Sequence, residues 1–129
     1  MSSRTPKQYF KIDHNASPRE DLAKYGEKMI ADGKISRWTL NMLKRWESAH
    51  ANAVENYTLF VAAVLLANHA GVPAGVINGL MASYTLARTL YAVAYICIDR
   101  DEFSQVRGLC WWWGNTSCMS LLWMAGKRL

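Results

Sequence analysis

Four polar side chains lie in one run of the chain, at spacings that suit a helix. They fall at positions i, i+3, i+7 and i+10 and are Arg45, Ser48, Asn52 and Glu55. A helix with this spacing presents all four along one stripe. The stripe offers a base, a hydroxyl, an amide and an acid, and it leads into an almost wholly apolar stretch. Polar groups in such a place are costly unless they face partners or a ligand. We therefore interpret the stripe as part of a binding site.

A second polar stripe is predicted further along the chain, where Arg88, Tyr91 and Tyr95 fall at i, i+3 and i+7. An arginine in an apolar stretch needs an acid or a carbonyl as its partner. Glu55 is the only acid in the apolar part of the chain, so we expect an Arg88–Glu55 pair, within one subunit or between subunits. Such a pair can also serve only to fix helix register. The convergence of two polar stripes favours a polar ligand over packing alone.

The elements that hold these stripes are predicted to be membrane helices. No Asp, Glu, Lys or Arg occurs between Glu55 and Arg88, or between Arg107 and Lys127. Because roughly 20 apolar helical residues cross a bilayer core, these stretches favour an all-α integral membrane helix bundle. We expect about three transmembrane helices, at residues 37–68, 75–98 and 104–126.

Residues 1–36 are predicted to form a polar N-terminal segment with a short helix over 18–31, and residues 37–129 to form the membrane bundle. Gly33 is expected to end the short helix, and Ser36 to cap the next one. The turn at residues 69–75 is short, so the helices on either side should be antiparallel neighbours. Most of the Lys and Arg residues lie in the first 50 positions, which favours a multi-pass protein with a cytosolic N-terminus.

Two classes of site are excluded by the residue patterns. The net charge of +5 does not indicate a nucleic-acid partner, because the basic residues are interleaved with acids and no recognised nucleic-acid motif is present. No metal site is indicated either: His14, His50 and His69 lack ligand spacing, and the three cysteines form no CxxC pair.

The two stripes carry a family resemblance. The pattern Arg45-x-x-Ser-Ala-His-x-Asn-x-x-Glu-Asn-x-x-x-Phe60, followed by Ala87-Arg88-x-x-Tyr91-x-x-x-Tyr95, resembles the MAPEG family, the membrane-associated proteins in eicosanoid and glutathione metabolism. The resemblance covers roughly residues 17–126. It implies a MAPEG-like four-helix membrane bundle, a homotrimer, and glutathione as co-substrate in a site between subunits. It also implies location in the endoplasmic reticulum or another internal membrane.

The resemblance further implies roles for individual residues. Asn52 and Glu55 would hold the glutathione backbone, with Glu55 near its amino group, while Tyr91 and Tyr95 would contact the peptide or its thiol. Arg88 aligns with an arginine that recurs at this place in the family. Ser48 stands where several family enzymes have an arginine, and Arg45, one turn earlier, would compensate as a carboxylate clamp.

The thiol-activating arginine is left open between two positions. An adjacent cation lowers the pKa of a thiol from about 8.5 and so favours the reactive thiolate. Arg107 is the first candidate for this role and Arg100 the second, with Tyr95 or Tyr91 donating a hydrogen bond to the sulfur. We also expect the chain to lack the family's first transmembrane helix, since nothing apolar precedes Ser17.

The resulting prediction is a glutathione-dependent membrane enzyme of the microsomal glutathione transferase or peroxidase type. It would act on lipophilic electrophiles that approach from the lipid side. The alternatives are a non-catalytic membrane protein of the same family that binds lipid or glutathione, a truncated inactive member, and a structural membrane subunit.

Overall fold

The computed structural model describes residues 4–11, 20–98 and 104–129, and every regular element in these ranges is helical. The helices, in chain order, are α1 (Arg4–Tyr9), α2 (Asp21–Ala31), α3 (Arg37–His69), α4 (Ala74–Cys97) and α5 (Ser104–Gly126). The all-α prediction is therefore confirmed for the described part of the chain. The expected helix start at Ser17 and Pro18 lies outside it.

Glycine and serine set the helix ends at the predicted places. At the end of α2, Gly33 has a φ of 68°, and Lys34 N–H bonds to the Met29 carbonyl at 2.9 Å, which together close the helix with a left-handed residue. The Ser36 hydroxyl then accepts a hydrogen bond from Thr39 N–H at 3.1 Å, so Ser36 caps α3 as predicted. Gly71, with a φ of 67°, ends α3 in the same way as Gly33 ends α2.

The chain divides into two compact units, residues 1–51 and 52–129. The described core of the first unit consists of Leu22, Ile35, Leu40 and Leu43. Gly26 permits the close packing of this core, because a Cβ at that position would lie only 2.5 Å from Leu40 Cδ1.

Among the described residues, two ion pairs connect helices of the first unit. The Lys7 ammonium is buried and lies 3.0 Å from Glu47 Oε1. The Arg37 guanidinium donates to Glu27 Oε1 at 2.6 Å and thereby lowers the pKa of the Glu27 carboxyl. The second pair is exposed, so it contributes little to folding.

The second unit packs the end of α3 against α4 and α5. Its core contains small and aromatic side chains from all three helices and the turn, namely Ala63, Ala67, Val72, Ile77, Tyr84, Cys118 and Leu121. Contacts between α3 and α4 pair residue 52 with 88 and residue 56 with 84, so these helices run antiparallel. The predicted antiparallel arrangement is confirmed.

The sequence predicts about three membrane-spanning helices. Within the described ranges, no helix combines the length and the apolar character that crossing a membrane requires.

Candidate functional site

Asn52 and Tyr91 meet at Arg88, in the middle of α4. Its Nη2 donates a hydrogen bond to Asn52 Oδ1 on α3 at 2.9 Å. The expected pairing of Arg88 with Glu55 inside one subunit is therefore wrong, whereas the pairing between subunits stays a prediction. The antiparallel register explains the difference, because it places residue 52 opposite residue 88 and leaves the Glu55 side chain exposed.

The Arg88 guanidinium is held without a carboxylate among the described residues. Its Nη1 is buried and has no hydrogen-bond partner in the described part of the chain. The guanidinium carbon lies 4.5 Å from the centroid of the Tyr91 ring, which is the geometry of a cation–π contact. An amide oxygen and a ring face leave the positive charge unneutralised.

Asn52 is itself held in place by a neighbour on α3. Asn56 Nδ2 donates to Asn52 Oδ1 at 3.2 Å and to the Asn52 carbonyl at 3.1 Å. Asn52 Oδ1 thus accepts hydrogen bonds from both Asn56 and Arg88. With both donors on one oxygen, the Asn52 amide is oriented so that its oxygen faces Arg88.

A row of rings connects Arg88 to a second arginine. The Tyr91 and Tyr95 ring centroids are 5.4 Å apart, and the Arg107 guanidinium carbon on α5 lies 4.8 Å from the Tyr95 centroid. Tyr91 is buried, whereas Tyr95 and Arg107 are half-buried. The structure therefore brings Arg107 to the end of the tyrosine stripe and gives the row a cation at each end.

The remaining predicted site residues are Arg45, Ser48, Glu55 and Arg100. Arg45 is half-buried and Ser48 is exposed, and both belong to the first unit. Glu55 is exposed on α3. Arg100 lies outside the described residues.

Three residues that support Arg88 were not predicted from the sequence. The Tyr84 hydroxyl donates to the Asn56 carbonyl at 3.2 Å, and its ring stacks on Phe60 with a centroid separation of 4.3 Å. Gly114 on α5 lies against the Arg88 stem. Tyr84 precedes Arg88 by four residues and Asn56 follows Asn52 by four, so helical spacing was the signal that could have identified Tyr84 and Asn56, but not Gly114.

An open groove of about 850 Å³ lies along α5. Its lining combines apolar and aromatic side chains with a few polar ones, and includes Trp111, Trp112, Met119 and Trp123. The residues of both polar stripes are absent from its lining. Because α5 alone lines it, we interpret it as a surface for apolar material rather than as the enclosed site of a reaction.

Comparisons with known proteins identify the family. No curated protein and no solved structure matches the chain. The model of the MAPEG family matches residues 10–127, a range that contains both polar stripes and Arg107. This match extends over nearly the whole sequence, and so the chain belongs to the MAPEG family.

Proposed function

We propose that this protein is a glutathione-dependent membrane enzyme of the transferase or peroxidase type, with Arg88 at the centre of its glutathione site. The observation that supports this most directly is the state of the Arg88 guanidinium. One of its nitrogens is buried without a hydrogen-bond partner in the described chain, and its nearest acceptor is a neutral amide. Arg88 is half-buried, and a cation that is partly removed from water is costly unless an anion compensates it. A carboxylate of a bound ligand would supply that anion.

Glutathione fits these groups by its own chemistry. It is a tripeptide with two carboxylates, one amine and one thiol. A carboxylate would bind Arg88 as a charge-assisted hydrogen bond, one of the stronger kinds in proteins. In this proposal, Asn52, Tyr91 and Tyr95 contact the peptide, and Glu55 binds its amine from the same or a neighbouring subunit. As the family resemblance implies, Ser48 stands at the place of the family's clamp arginine, and Arg45 would compensate for it as a carboxylate clamp.

The proposed chemistry begins with the glutathione thiolate. Arg107, at the other end of the tyrosine row, would stabilise it, and Tyr95 would donate a hydrogen bond to the sulfur. In a conjugation, the sulfur forms a bond to an electrophilic carbon, and the leaving group departs with its bonding electrons. With a hydroperoxide, two glutathione molecules are oxidised to the disulfide while the hydroperoxide is reduced to an alcohol and water. Arg100 remains the second candidate for the activating cation.

We also propose that the protein acts at a membrane as a homotrimer, in the endoplasmic reticulum or another internal membrane. Family membership supports the membrane setting. The uncharged stretches at residues 56–87 and 108–126 and the exposed apolar side chains of α3 and α4 support it further. Those side chains include Val54, Leu65, Leu86, Leu90 and Val93. A membrane setting would let a lipophilic substrate reach the site from the lipid.

Calorimetric titration of glutathione into detergent-purified protein tests the site. We expect saturable binding by the wild type and its loss, by about tenfold or more, in Asn52→Ala and Arg88→Ala. Glu55→Gln should weaken binding by removing a partner of the amine. Asn68→Ala is the matched control, because Asn68 is an exposed asparagine of α3 whose side chain donates to the Val64 carbonyl of its own helix. Absence of binding by folded wild-type protein would contradict the proposal.

Turnover of a chromogenic electrophile, compared with heat-inactivated protein, separates an enzyme from a binding protein. The alternative is a non-catalytic family member that binds lipid or glutathione. The apolar groove along α5 favours this alternative, since its tryptophan and methionine side chains suit an acyl chain. Glutathione binding without turnover, or lipid retention without glutathione binding, would establish it.

A further inference from the structure

Gly114 brings the backbone of α5 directly against the side chain of Arg88. A Cβ added at Gly114 would lie 3.2 Å from Arg88 Cδ and 3.7 Å from both Arg88 Cγ and Tyr84 Cδ2. The first distance is shorter than a relaxed carbon–carbon contact. Glycine inside a helix lowers its stability relative to alanine, so its place in the middle of α5 calls for a packing explanation. The close approach to Arg88 supplies one.

Polar contacts on both sides of Gly114 hold α5 at this approach. Trp113 Nε1 donates to the Ser83 hydroxyl of α4 at 2.9 Å, and the Ser83 and Ser117 hydroxyls lie 3.1 Å apart. Trp113 directly precedes Gly114, and Ser117 follows it by one turn. The three side chains therefore fix how α5 lies along α4 at the level of Arg88.

We propose that Gly114 is a positioning residue for Arg88 and that the Trp113–Ser83–Ser117 contacts maintain its position; this inference rests on the proposed function. The α5 backbone limits the Arg88 stem on one side, and the guanidinium is directed to Asn52 and the Tyr91 ring. A Cβ at residue 114 displaces the stem at Cδ by a few tenths of an ångström. Carried to the guanidinium, this shift lengthens the 2.9 Å contact with Asn52 Oδ1 and weakens the hydrogen bond, because such bonds are short-range.

Chemical labelling tests the positioning without any ligand. Phenylglyoxal modifies accessible arginines. Mass spectrometry of protein that was labelled in its folded state gives the labelling rate of Arg88 separately from the rates of the other arginines. In the wild type, labelling of Arg88 should be slow because Nη1 is buried. Gly114→Ala should accelerate it several-fold. Gly108→Ala is the matched control, since it makes the same change in the same helix with nothing within 4 Å of the new Cβ.

Ligand binding and turnover supply the second measurement. In Gly114→Ala, the glutathione affinity should fall about tenfold, the expected effect of losing one charge-assisted contact. The KM for glutathione should rise while kcat stays close to that of Gly108→Ala, because Arg88 binds the ligand equally in the ground and transition states. In an Arg88→Ala background, Gly114→Ala should change the thermal unfolding temperature as Gly108→Ala does, since the displaced side chain is gone and only the helix-propensity gain of alanine remains.

Trp113→Phe provides a milder variant if Gly114→Ala fails to fold. It removes the hydrogen bond to Ser83 and should also accelerate Arg88 labelling, whereas Trp112→Phe, at an exposed neighbouring tryptophan, should not. Labelling and glutathione affinity equal to those of the control variants would overturn the inference. Accelerated labelling in a protein whose wild type binds no glutathione would support the positioning of Arg88 and reject the proposed function.

Discussion

At the scale of single residues, the partner of Arg88 decides what the site can bind. Asn52 orients the guanidinium through a hydrogen bond but leaves its charge intact. A carboxylate at the same place would orient it equally well and would neutralise it. The site therefore combines a fixed position for the cation with a charge that is still available to an anionic ligand, and these two properties can be separated by mutation.

Asn52→Asp makes this separation. The new carboxylate should form an ion pair with Arg88, so the free energy of unfolding should stay the same or rise, by up to about 2 kcal/mol. Glutathione affinity should nevertheless fall more than about tenfold, because the ligand's carboxylate now competes with a permanent one. Calorimetry and thermal unfolding measure the two effects. Asn68→Asp is the control, and retained affinity in Asn52→Asp would contradict an anion site at Arg88.

Arg107→Ala tests the activation of the thiol. Removing the cation should raise the pKa of the bound glutathione thiol towards its free value of about 8.5. The rate at neutral pH should therefore fall and should recover as the pH rises through that value. The pH dependence of kcat is the measurement, because it reports groups in the bound complex. An unchanged profile would exclude this role for Arg107 and leave Arg100 as the candidate.

At the scale of helices, Tyr84 joins α3 to α4 by two kinds of contact. Its ring stacks on Phe60 and its hydroxyl bonds to the Asn56 carbonyl. Tyr84→Phe keeps the stack and should cost about 1 kcal/mol of unfolding free energy for the lost hydrogen bond. Tyr84→Ala should cost about 3–5 kcal/mol, since it also leaves a cavity. Thermal unfolding distinguishes them, with the exposed Tyr57→Phe expected to be neutral.

The ion pair between Lys7 and Glu47 gives an asymmetric prediction for the first unit. Lys7 is 3% exposed and Glu47 is 29% exposed. Glu47→Gln removes this carboxylate from a buried ammonium and should lower the free energy of local unfolding by about 2 kcal/mol. This corresponds to an increase of about 30-fold in the equilibrium constant for local opening. Lys7→Met should cost less than about 1 kcal/mol, because an apolar side chain of similar length tolerates burial. Hydrogen exchange of α1 and of residues 37–51 measures both, and equal effects would contradict the prediction.

Helices α2 to α5 could be predicted closely from the sequence, but α1, in a stretch expected to be loop or disorder, and the partners within the site could not. Gly33, Ser36 and Gly71 act through local backbone conformation, so their positions define helix ends without knowledge of the tertiary fold. The partner of Arg88 depends on how α3 and α4 align. If α3 were shifted by one turn along α4, Glu55 would lie opposite Arg88 in place of Asn52. Helical spacing alone does not determine that alignment. Gly114 could not be predicted for the same reason, since its close contact depends on the alignment of α4 and α5.

At the scale of the whole molecule, apolar surface and charge are distributed unequally along the chain. The first 50 residues hold most of the Lys and Arg, while the exposed side chains of α3 and α4 in the second unit are largely apolar. Exposed apolar patches of this kind usually mark contact with a membrane or another protein. The second unit is therefore where we expect lipid contact.

Alkaline carbonate extraction of cell membranes tests this expectation. Carbonate and high salt should leave the protein in the membrane pellet, and detergent should release it, because apolar contact with lipid is insensitive to charge screening. A peripheral membrane protein and an integral one expressed in the same cells are the controls. Release by carbonate alone would show that electrostatic contact holds the protein at the membrane, and would contradict the integral location.

Arg88 contacts α3 through Asn52, α4 through Tyr91 and α5 through Gly114. A ligand that binds the buried Arg88 Nη1 therefore binds a group that these three helices place only in the folded protein. A ligand that binds only the folded chain adds RT ln(1 + [L]/Kd) to the free energy of unfolding, about 2.7 kcal/mol at a hundred times Kd. If glutathione is that ligand, the glutathione in the cell would stabilise the folded protein. Protein purified without glutathione would then have a lower free energy of unfolding than the same protein in its own cellular compartment.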